Sequence, residues 1–217
     1  MNIEQARFNM VEQQIRPWEV LDQQVLDLLY VVHREDFVPA AYRALAFADL
    51  EIPIGEGETM LQPKVEARIL QEVAPGASDK ALEVGTGSGY MAALLAHRAR
   101  HVHSVEISPT LKRFGEANLR TAGIVNVTVE QGDAARGWSK HAPYDVIVLT
   151  GSTPVLPDAL LAQLAPGGRL FAAVGERPVM SARLVTAVGG GSFNTVDLFE
   201  TVLAPLKNAL EREKFVF

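Results

Sequence analysis

The chain has 217 residues, of which 48% are hydrophobic and 21% charged; 20 Lys and Arg against 26 Asp and Glu leave a net charge of −6. At about 150 residues per domain, this length predicts a single domain over residues 1–217. The composition is near the globular average, which excludes collagen, coiled coil and wholesale disorder. The absence of cysteine excludes disulfides, thiolate zinc sites and a cysteine nucleophile.

The distribution of charged residues also argues against a membrane segment, a signal peptide and a nucleic-acid partner. The longest stretch without a charged side chain, Val84 to His97, is shorter than the roughly 20 apolar residues that a membrane-spanning helix needs. The first ten residues contain Glu4 and Arg7 and no apolar run, unlike a signal peptide. We therefore expect a cytoplasmic protein without a membrane segment. The negative charge disfavours nucleic acid as a partner, and we expect a monomer.

Residues 1–75 form a predicted helical lead-in. Two segments carry apolar residues at helical spacing: Phe8, Val11 and Ile15, then Leu21, Val25, Leu28, Leu29 and Val32. Arg16-Pro17 separates them, because proline restricts the residue before it and cannot continue the first helix. An irregular stretch, Leu50–Pro63, follows. A third helix is expected after Pro63, with Val65, Ile69 and Val73 on one face.

Residues 76–217 alternate between strand and helix patterns. The predicted strands are Ala81–Val84, His101–Ile107, Val125–Glu130, Asp145–Thr150 and Arg169–Val174, and the predicted helices are Tyr90–Arg100, Pro109–Ala122 and Pro157–Leu164. This alternation predicts an α/β fold with a doubly wound, Rossmann-like, mostly parallel sheet. Ala182–Val188 and Thr195–Leu203, joined by three glycines, predict an antiparallel C-terminal hairpin. Ala209–Lys214 is expected to be an exposed helix or tail.

A glycine-rich turn follows the first predicted strand of this core and opens a helix. The sequence from Leu82 to Tyr90 reads LEVGTGSGY. Glycine suits such a turn because the chain must bend tightly and let a ligand approach its backbone. The new helix directs free N–H groups at the same place. A tight turn that binds nothing is the alternative interpretation.

Two details of this turn separate the nucleotide folds. The glycines are spaced as Gly85-x-Gly87-x-Gly89, unlike the dinucleotide fingerprint, and Glu83 precedes the first glycine by two residues. The pattern resembles the first motif of class I S-adenosylmethionine-dependent methyltransferases. That cofactor carries a sulfonium and an ammonium group, so a nearby carboxylate is favourable. A nicotinamide-dependent oxidoreductase is disfavoured.

Two further acids lie at the ends of the next strands. Glu106 ends the second strand, where an acid hydrogen-bonds ribose hydroxyls in both nicotinamide and methyltransferase folds. A solvated charge is the alternative for this residue. Asp133 follows the third strand, where class I methyltransferases have an Asp that faces the adenine amino group. The alternative for Asp133 is an Asx turn or a helix N-cap.

Over most of its length the chain resembles the protein-L-isoaspartate O-methyltransferase family. Besides the glycine turn, the matching pieces are HREDFVP at 33–39, IPIGEGETMLQP at 52–63, Gly132-Asp133, Gly137-Trp138, APYD at 142–145, LAPGGRL at 164–170, Val174-Gly175 and Ala204-Pro205-Leu206. The piece at 52–63 is the most specific to the family. The resemblance implies methyl transfer from S-adenosylmethionine to the side carboxylate of isoaspartyl residues in damaged proteins or peptides.

The resemblance also implies site residues. Expected cofactor contacts are Glu83, Gly85, Thr86, Gly87, Ser88, Gly89, Glu106, Ile107, Asp133, Ala134 and Thr150. Expected acceptor contacts are Thr59, Met60 and Gln62, and Thr59 and Leu61 stand at the catalytic positions. No general base is needed, because a carboxylate with a pKa near 4 is already ionised at pH 7. The five histidines form no ligand motif, so no metal site is predicted.

One departure from the family pattern concerns the acceptor. The family's active-site serine falls on Leu61, and Glu58 stands where the family tends to have glutamine. An inward-pointing Glu58 would repel an anionic acceptor. These changes leave two alternatives open: a methyltransferase of the same fold with another acceptor, such as a small molecule, and a non-catalytic module that binds S-adenosylmethionine.

Overall fold

The computed structural model describes residues 2–212. Its centre is a seven-stranded sheet in the order β5-β4-β3-β6-β7-β8-β9. The bounds are β3 Lys80–Val84, β4 His101–Glu106, β5 Val127–Gln131, β6 Tyr144–Thr153, β7 Leu164–Glu176, β8 Val179–Gly189 and β9 Ser192–Thr201. Strands β3 to β7 pair in parallel, while β8 and β9 are antiparallel. The predicted fold class and the C-terminal hairpin are therefore confirmed.

The helices are α1 Ile3–Asn9, α2 Gln23–Val31, α3 Pro63–Val73, α4 Tyr90–Ala96, α5 Pro109–Thr121 and α6 Asp158–Leu161. Short 3₁₀ turns cover Arg16–Trp18, Arg34–Asp36, Ala40–Leu45 and Ser139–His141, and a π-helical turn covers Met10–Ile15. The helix predicted for Tyr90–Arg100 ends early, at Ala96. The helix predicted for Pro157–Leu164 is a single turn, because Leu164 already belongs to β7.

Both faces of the parallel sheet are covered, as expected for a doubly wound fold. Successive residues of a strand point to opposite faces, so Ala81 packs in one apolar cluster and Leu82 in the other. The first cluster holds residues of α3, α4 and α5, and the second holds Leu160 of α6. Chain order reverses where β6 pairs with β3 on the side away from β4. Ligands in such sheets bind in the crevice at the carboxyl ends beside this reversal.

The N-terminal helices pack against the same core as the sheet. Val11, Ile15, Val25 and Leu29 are buried in the cluster that also contains residues of β3 and β4. Two predicted members of these apolar faces are wrong: Phe8 is 49% exposed and Leu21 is 70% exposed. Leu21 precedes the N-cap Asp22 of α2, and Phe8 points outward from α1, so neither shares the buried face.

The stretch from Leu50 to Pro63, predicted to be irregular, contains an antiparallel hairpin. Its strands are β1 Ile52–Gly55 and β2 Glu58–Met60. The turn between them contains Glu56 and Gly57, both with positive φ, and the two strands are only four and three residues long, so the sequence shows no alternation that would reveal them. Strand β2 ends at Met60, and Leu61 and Gln62 connect it to α3, which begins at Pro63.

After β9 the chain turns back to the carboxyl end of β6. The Ser152 N–H donates to the Ala204 carbonyl at 2.8 Å, and the Leu206 N–H donates to the Ser152 carbonyl at 2.9 Å. Residues 209–212 have no regular structure, and the rest of the predicted tail, Glu213 and Lys214, lies outside the described residues. Among residues 2–212 there is no helix with the length and apolarity to cross a membrane.

Candidate active site

A cleft of about 750 Å³ opens at the carboxyl ends of β3 to β6, beside the reversal of strand order. A smaller cavity of about 330 Å³ shares six lining residues with the cleft and is also lined by Glu83 and Glu66. The cleft is lined by the ends of the four strands, the hairpin β1–β2 and the segment after β9; the lining includes Val84, Gly85, Glu106, Ile107, Gly132, Asp133, Ala134, Thr150, Thr59, Leu61 and Lys207.

The glycine turn forms the floor of the cleft. Gly85 has a φ of +98°, and a Cβ at this position would lie 2.4 Å from the Thr150 hydroxyl oxygen. That hydroxyl donates to the carbonyls of Val84 at 2.9 Å and Gly85 at 2.8 Å. Thr150 of β6 therefore fixes the turn after β3, and only glycine fits against it.

Glu106 holds the glycine turn and the start of α5 together. Its Oε2 accepts from the Gly87 N–H at 2.9 Å, and its Oε1 accepts from the Ser108 N–H at 2.9 Å. The side chain lines the cleft although Glu106 is only 4% exposed. A carboxylate oxygen has a second acceptor site, so each oxygen can still accept a hydroxyl hydrogen from a ligand.

Glu83 lies beneath the glycine turn and is fully buried. Its Oε2 accepts a hydrogen bond from Ser104, whose hydroxyl is also 2.5 Å from that of Thr86. Its Oε1 has no hydrogen-bond partner, although the residue borders the smaller cavity. Burial raises the pKa of Glu83 to about 8. A cation in the cavity would stabilise the ionised form of this buried carboxyl group.

Asp133 lies at the exposed rim of the cleft. Its Oδ1 accepts from the Ala135 N–H at 3.0 Å, which is the Asx-turn alternative raised by the sequence. Its Oδ2 accepts from the Asn208 amide at 2.8 Å. Asp133 therefore stabilises its own turn. Asp133 and the buried Ala134 both line the cleft.

The hairpin β1–β2 supplies the wall opposite the glycine turn. Thr59 and Leu61 border both cavities, and Met60 borders the smaller one. The Thr59 hydroxyl donates to Glu51 at 3.0 Å. Leu61 is 7% exposed, so the position predicted from the family serine presents an isobutyl group to the cleft. Gln62, predicted to contact the acceptor, borders neither cavity.

Two ion pairs support the hairpin wall from behind. Arg34 pairs with the buried Glu66 of α3 and donates to the Leu61 carbonyl at 2.5 Å. Burial raises the pKa of Glu66 to about 7, against the lowering effect of Arg34. Arg7 pairs with the buried Glu35, next in the chain to Arg34. The HREDFVP segment at 33–39 therefore holds the backbone at Leu61 in place, through Arg34.

The segment after β9 closes the third side of the cleft, and sequence reasoning assigned it no role. Ala204, Pro205, Leu206 and Lys207 line the cleft, and the Lys207 ammonium lies 3.1 Å from Glu58 Oε1. The Ala204-Pro205-Leu206 match was the signal that could have pointed to it. Because Glu58 has this cation beside it, the repulsion of an anionic acceptor expected from the sequence is offset.

Nearly all the predicted site residues meet at the two cavities. The exceptions are Gly89 and Gln62. Gly89, with a φ of +83°, is the N-cap of α4, and a Cβ there would lie 3.0 Å from the Gly115 carbonyl oxygen. Its role is the close packing of α4 against α5, as the third glycine of a nucleotide-binding turn commonly provides.

Similarity to known structures agrees with this architecture. A Plasmodium falciparum protein described as a protein-L-isoaspartate O-methyltransferase, in complex with S-adenosyl-L-homocysteine, superposes with a TM-score of 0.79 at 20% identity. The match covers 91% of this chain and 96% of that one. At this identity the likeness concerns the fold.

Similarity in sequence is closer. A protein-L-isoaspartate O-methyltransferase of Methanoculleus marisnigri is 43% identical over 79% of this chain and 78% of its own length. Protein-L-isoaspartate O-methyltransferase 1 of Syntrophobacter fumaroxidans is 38% identical over 90% of this chain and 91% of its own length. The family model for protein-L-isoaspartate(D-aspartate) O-methyltransferase matches residues 5–211. The chain therefore belongs to the protein-L-isoaspartate(D-aspartate) O-methyltransferase family.

Proposed function

We propose that this protein transfers a methyl group from S-adenosylmethionine to the side carboxylate of isoaspartyl residues in proteins or peptides. The observation that carries this proposal is that the two cavities share their walls: Thr59 and Leu61 of the hairpin side and Gly85 and Gly87 of the glycine turn line both of them. Family membership over residues 5–211 supplies the acceptor class.

The residues present fit S-adenosylmethionine. The unpartnered Oε1 of Glu83 suits the ammonium of its amino-acid part, the Glu106 carboxylate suits ribose hydroxyls, and Asp133 at the rim suits an adenine amino group. Gly85 and Gly87 of the glycine turn line the cleft without a side chain, so a ligand can approach their backbone. When bound, the cofactor supplies a methyl group activated by its sulfonium.

The chain's own task is to orient and desolvate the acceptor. An isoaspartyl carboxylate is ionised at pH 7 and needs no general base. Leu61, Ile54 and Leu206 give the cleft apolar walls that exclude water, and a carboxylate without its hydration shell is a stronger nucleophile. The Lys207 ammonium balances the charge of Glu58 at the same mouth, so this pair does not repel an anionic acceptor.

Leu61 is the specific observation behind a second candidate, in which the same cofactor chemistry acts on a small molecule or another protein group. The non-catalytic module is disfavoured, because the relatives that match most of the chain are protein-L-isoaspartate O-methyltransferases. The division of a single domain near residue 75, the monomeric state and the cytoplasmic location remain predictions.

Transfer of a labelled methyl group to an isoaspartyl peptide and to its aspartyl twin tests the proposal. We expect labelling of the isoaspartyl form alone, with a label that is lost in base as a carboxyl ester is. Tight binding of S-adenosylmethionine without transfer to either peptide would favour the second candidate. Binding of NADH in place of S-adenosylmethionine, measured by calorimetry, would overturn the proposed cofactor.

A further inference from the structure

A cluster of imidazole and carboxylate groups lies on one face of the sheet, away from the residues assigned to the cleft. Parallel pairing sets Val105 of β4 opposite Glu130 of β5. Because side chains two residues apart share a face, His103 and Glu130 point to the same side at the sheet edge. The 3₁₀ turn Ser139–His141 then brings a second imidazole over them. The histidines are far apart in sequence, so their spacing predicted no ligand motif.

The three side chains bring their donor atoms into one small region. His141 Nε2 is 2.6 Å from Glu130 Oε1, and His103 Nδ1 is 3.9 Å from the same oxygen. One donor atom from each of the three residues lies within 4.8 Å of the other two. The rings of His103 and His141 stack with centroids 3.9 Å apart and planes 10° apart.

His103 supplies an independent indication that something is bound here. Its Nδ1 is buried and has no hydrogen-bond partner, whereas the neighbouring His101 has its Nε2 placed 2.9 Å from the Thr128 hydroxyl. A buried polar atom without a partner is costly. Lys140 pairs with the other carboxylate oxygen, Glu130 Oε2, which leaves Oε1 directed at the two imidazoles.

We propose that His103, Glu130 and His141 form a binding site for a borderline divalent transition-metal ion, with Zn²⁺ as the representative. Two imidazoles and one carboxylate are a donor set that suits Zn²⁺ and its neighbours better than Ca²⁺ or Mg²⁺. Ligands about 2.0–2.1 Å from a tetrahedral ion are roughly 3.3 Å apart, so the donor atoms need to shift by roughly 1.5 Å or less. Because an imidazole lone pair lies in the ring plane, the His141 ring must also turn out of its parallel stack on His103 for both rings to face one ion. Solvent would fill the remaining coordination position at this edge of the sheet.

Direct binding to the full, untagged chain tests the site. We expect Zn²⁺ to bind with a stoichiometry of one by calorimetry, and Co²⁺ to give visible d–d absorption that Zn²⁺ abolishes. His141→Gln should weaken Zn²⁺ binding at least about tenfold, since even outer-shell partners of metal ligands cost 10–100-fold. His97→Gln is the matched control, because His97 lies outside the cluster and should leave binding unchanged.

A second variant keeps the test decisive if a histidine substitution disturbs folding. Lys140→Met removes a cation from Glu130 on an exposed side chain, and should strengthen Zn²⁺ binding several-fold. Circular dichroism melting curves establish that each variant is folded. Absence of Zn²⁺ binding by the wild-type chain, or equal affinity in wild type and a folded His141→Gln variant, would overturn the proposal.

Discussion

The two halves of the cleft are built in different ways. The cofactor half consists of strand ends held by bonds inside the sheet, and two of its three acids are nearly inaccessible: Glu83 is 0% and Glu106 is 4% exposed, while Asp133 lies at the rim. The acceptor half consists of the hairpin β1–β2 and the segment after β9, which meet through Glu58 and Lys207, with side chains 31% and 46% exposed. The core of the fold therefore fixes the cofactor side. The acceptor side combines a buried anchor, the Arg34–Glu66 pair behind Leu61, with the partly exposed Glu58–Lys207 contact.

Gly85→Ala should break the cofactor half most severely. The new Cβ would overlap the Thr150 hydroxyl at 2.4 Å and require a left-handed backbone. Displacement of the turn by about 1 Å costs on the order of 100-fold in kcat/KM. Gly123→Ala is the control, because Gly123 has a φ of +72° but nothing within 4 Å of its added Cβ. It should lose only about 1–2 kcal/mol of stability and keep its kcat/KM. Equal kinetics in the two variants would contradict the role given to Gly85.

Glu106→Ala should weaken S-adenosylmethionine binding by about 1–3 kcal/mol, the scale for losing a hydrogen bond to a charged group. The carboxylate also holds the Gly87 N–H, so part of this loss reflects the turn itself. Isothermal calorimetry measures the change. Glu116→Ala is the control, because Glu116 pairs with Lys112 on the surface of α5. Unchanged affinity in Glu106→Ala would remove Glu106 from the site.

Sequence reasoning found the cofactor half and most of the sheet because both depend on local signals. A glycine turn and the acids at strand ends are read within a few residues, and parallel strands bring their carboxyl ends to one edge. The pairing of Glu58 with Lys207 is a contact across most of the chain length, and no local pattern encodes it. The hairpin β1–β2 escaped prediction for a different reason, since strands of three or four residues are too short to show a period.

Proton release should accompany cofactor binding, because burial raises the pKa of Glu83 from its ordinary 4.5 to about 8. The folded protein holds a proton here that the unfolded chain releases, so this group's contribution to stability falls as the pH rises from about 4.5 to 8. An ammonium beside Glu83 favours the charged form. S-adenosylmethionine affinity should thus rise with pH up to about 8, by at most about tenfold per unit.

Calorimetry at pH 7 in two buffers of different ionisation enthalpy measures this proton release directly. We expect release of up to one proton in the wild-type chain and none attributable to this position in Glu83→Gln. A pH-independent affinity together with identical heats in both buffers would show that Glu83 does not meet the ammonium.

Leu61→Ser tests whether the acceptor half lacks a hydroxyl. Leu61 borders the cleft while Arg34 holds its carbonyl at 2.5 Å, so the new hydroxyl would stand on an anchored backbone. One hydrogen bond is worth about 0.5–1.5 kcal/mol, and we expect kcat/KM for an isoaspartyl peptide to rise about 2–12-fold over that of Leu61→Ala. The alanine variant removes the same bulk without adding a donor. Equal activity in the two variants would show that the hydroxyl is not limiting.

Lys207→Met should produce the smallest effect, confined to the acceptor half. Both partners of the Glu58 pair are partly exposed, and such pairs contribute about 0.2–1 kcal/mol. Without the Lys207 ammonium, the Glu58 carboxylate repels an anionic acceptor, so KM for the isoaspartyl peptide should rise about 1.4–5-fold at unchanged cofactor affinity. Adding Glu58→Gln to the same chain removes the repulsion and should reverse most of this rise. The effect of Lys207→Met on KM is therefore measured twice, in the wild-type chain and in the Glu58→Gln variant. If KM rises equally in both, Lys207 contacts the acceptor independently of Glu58.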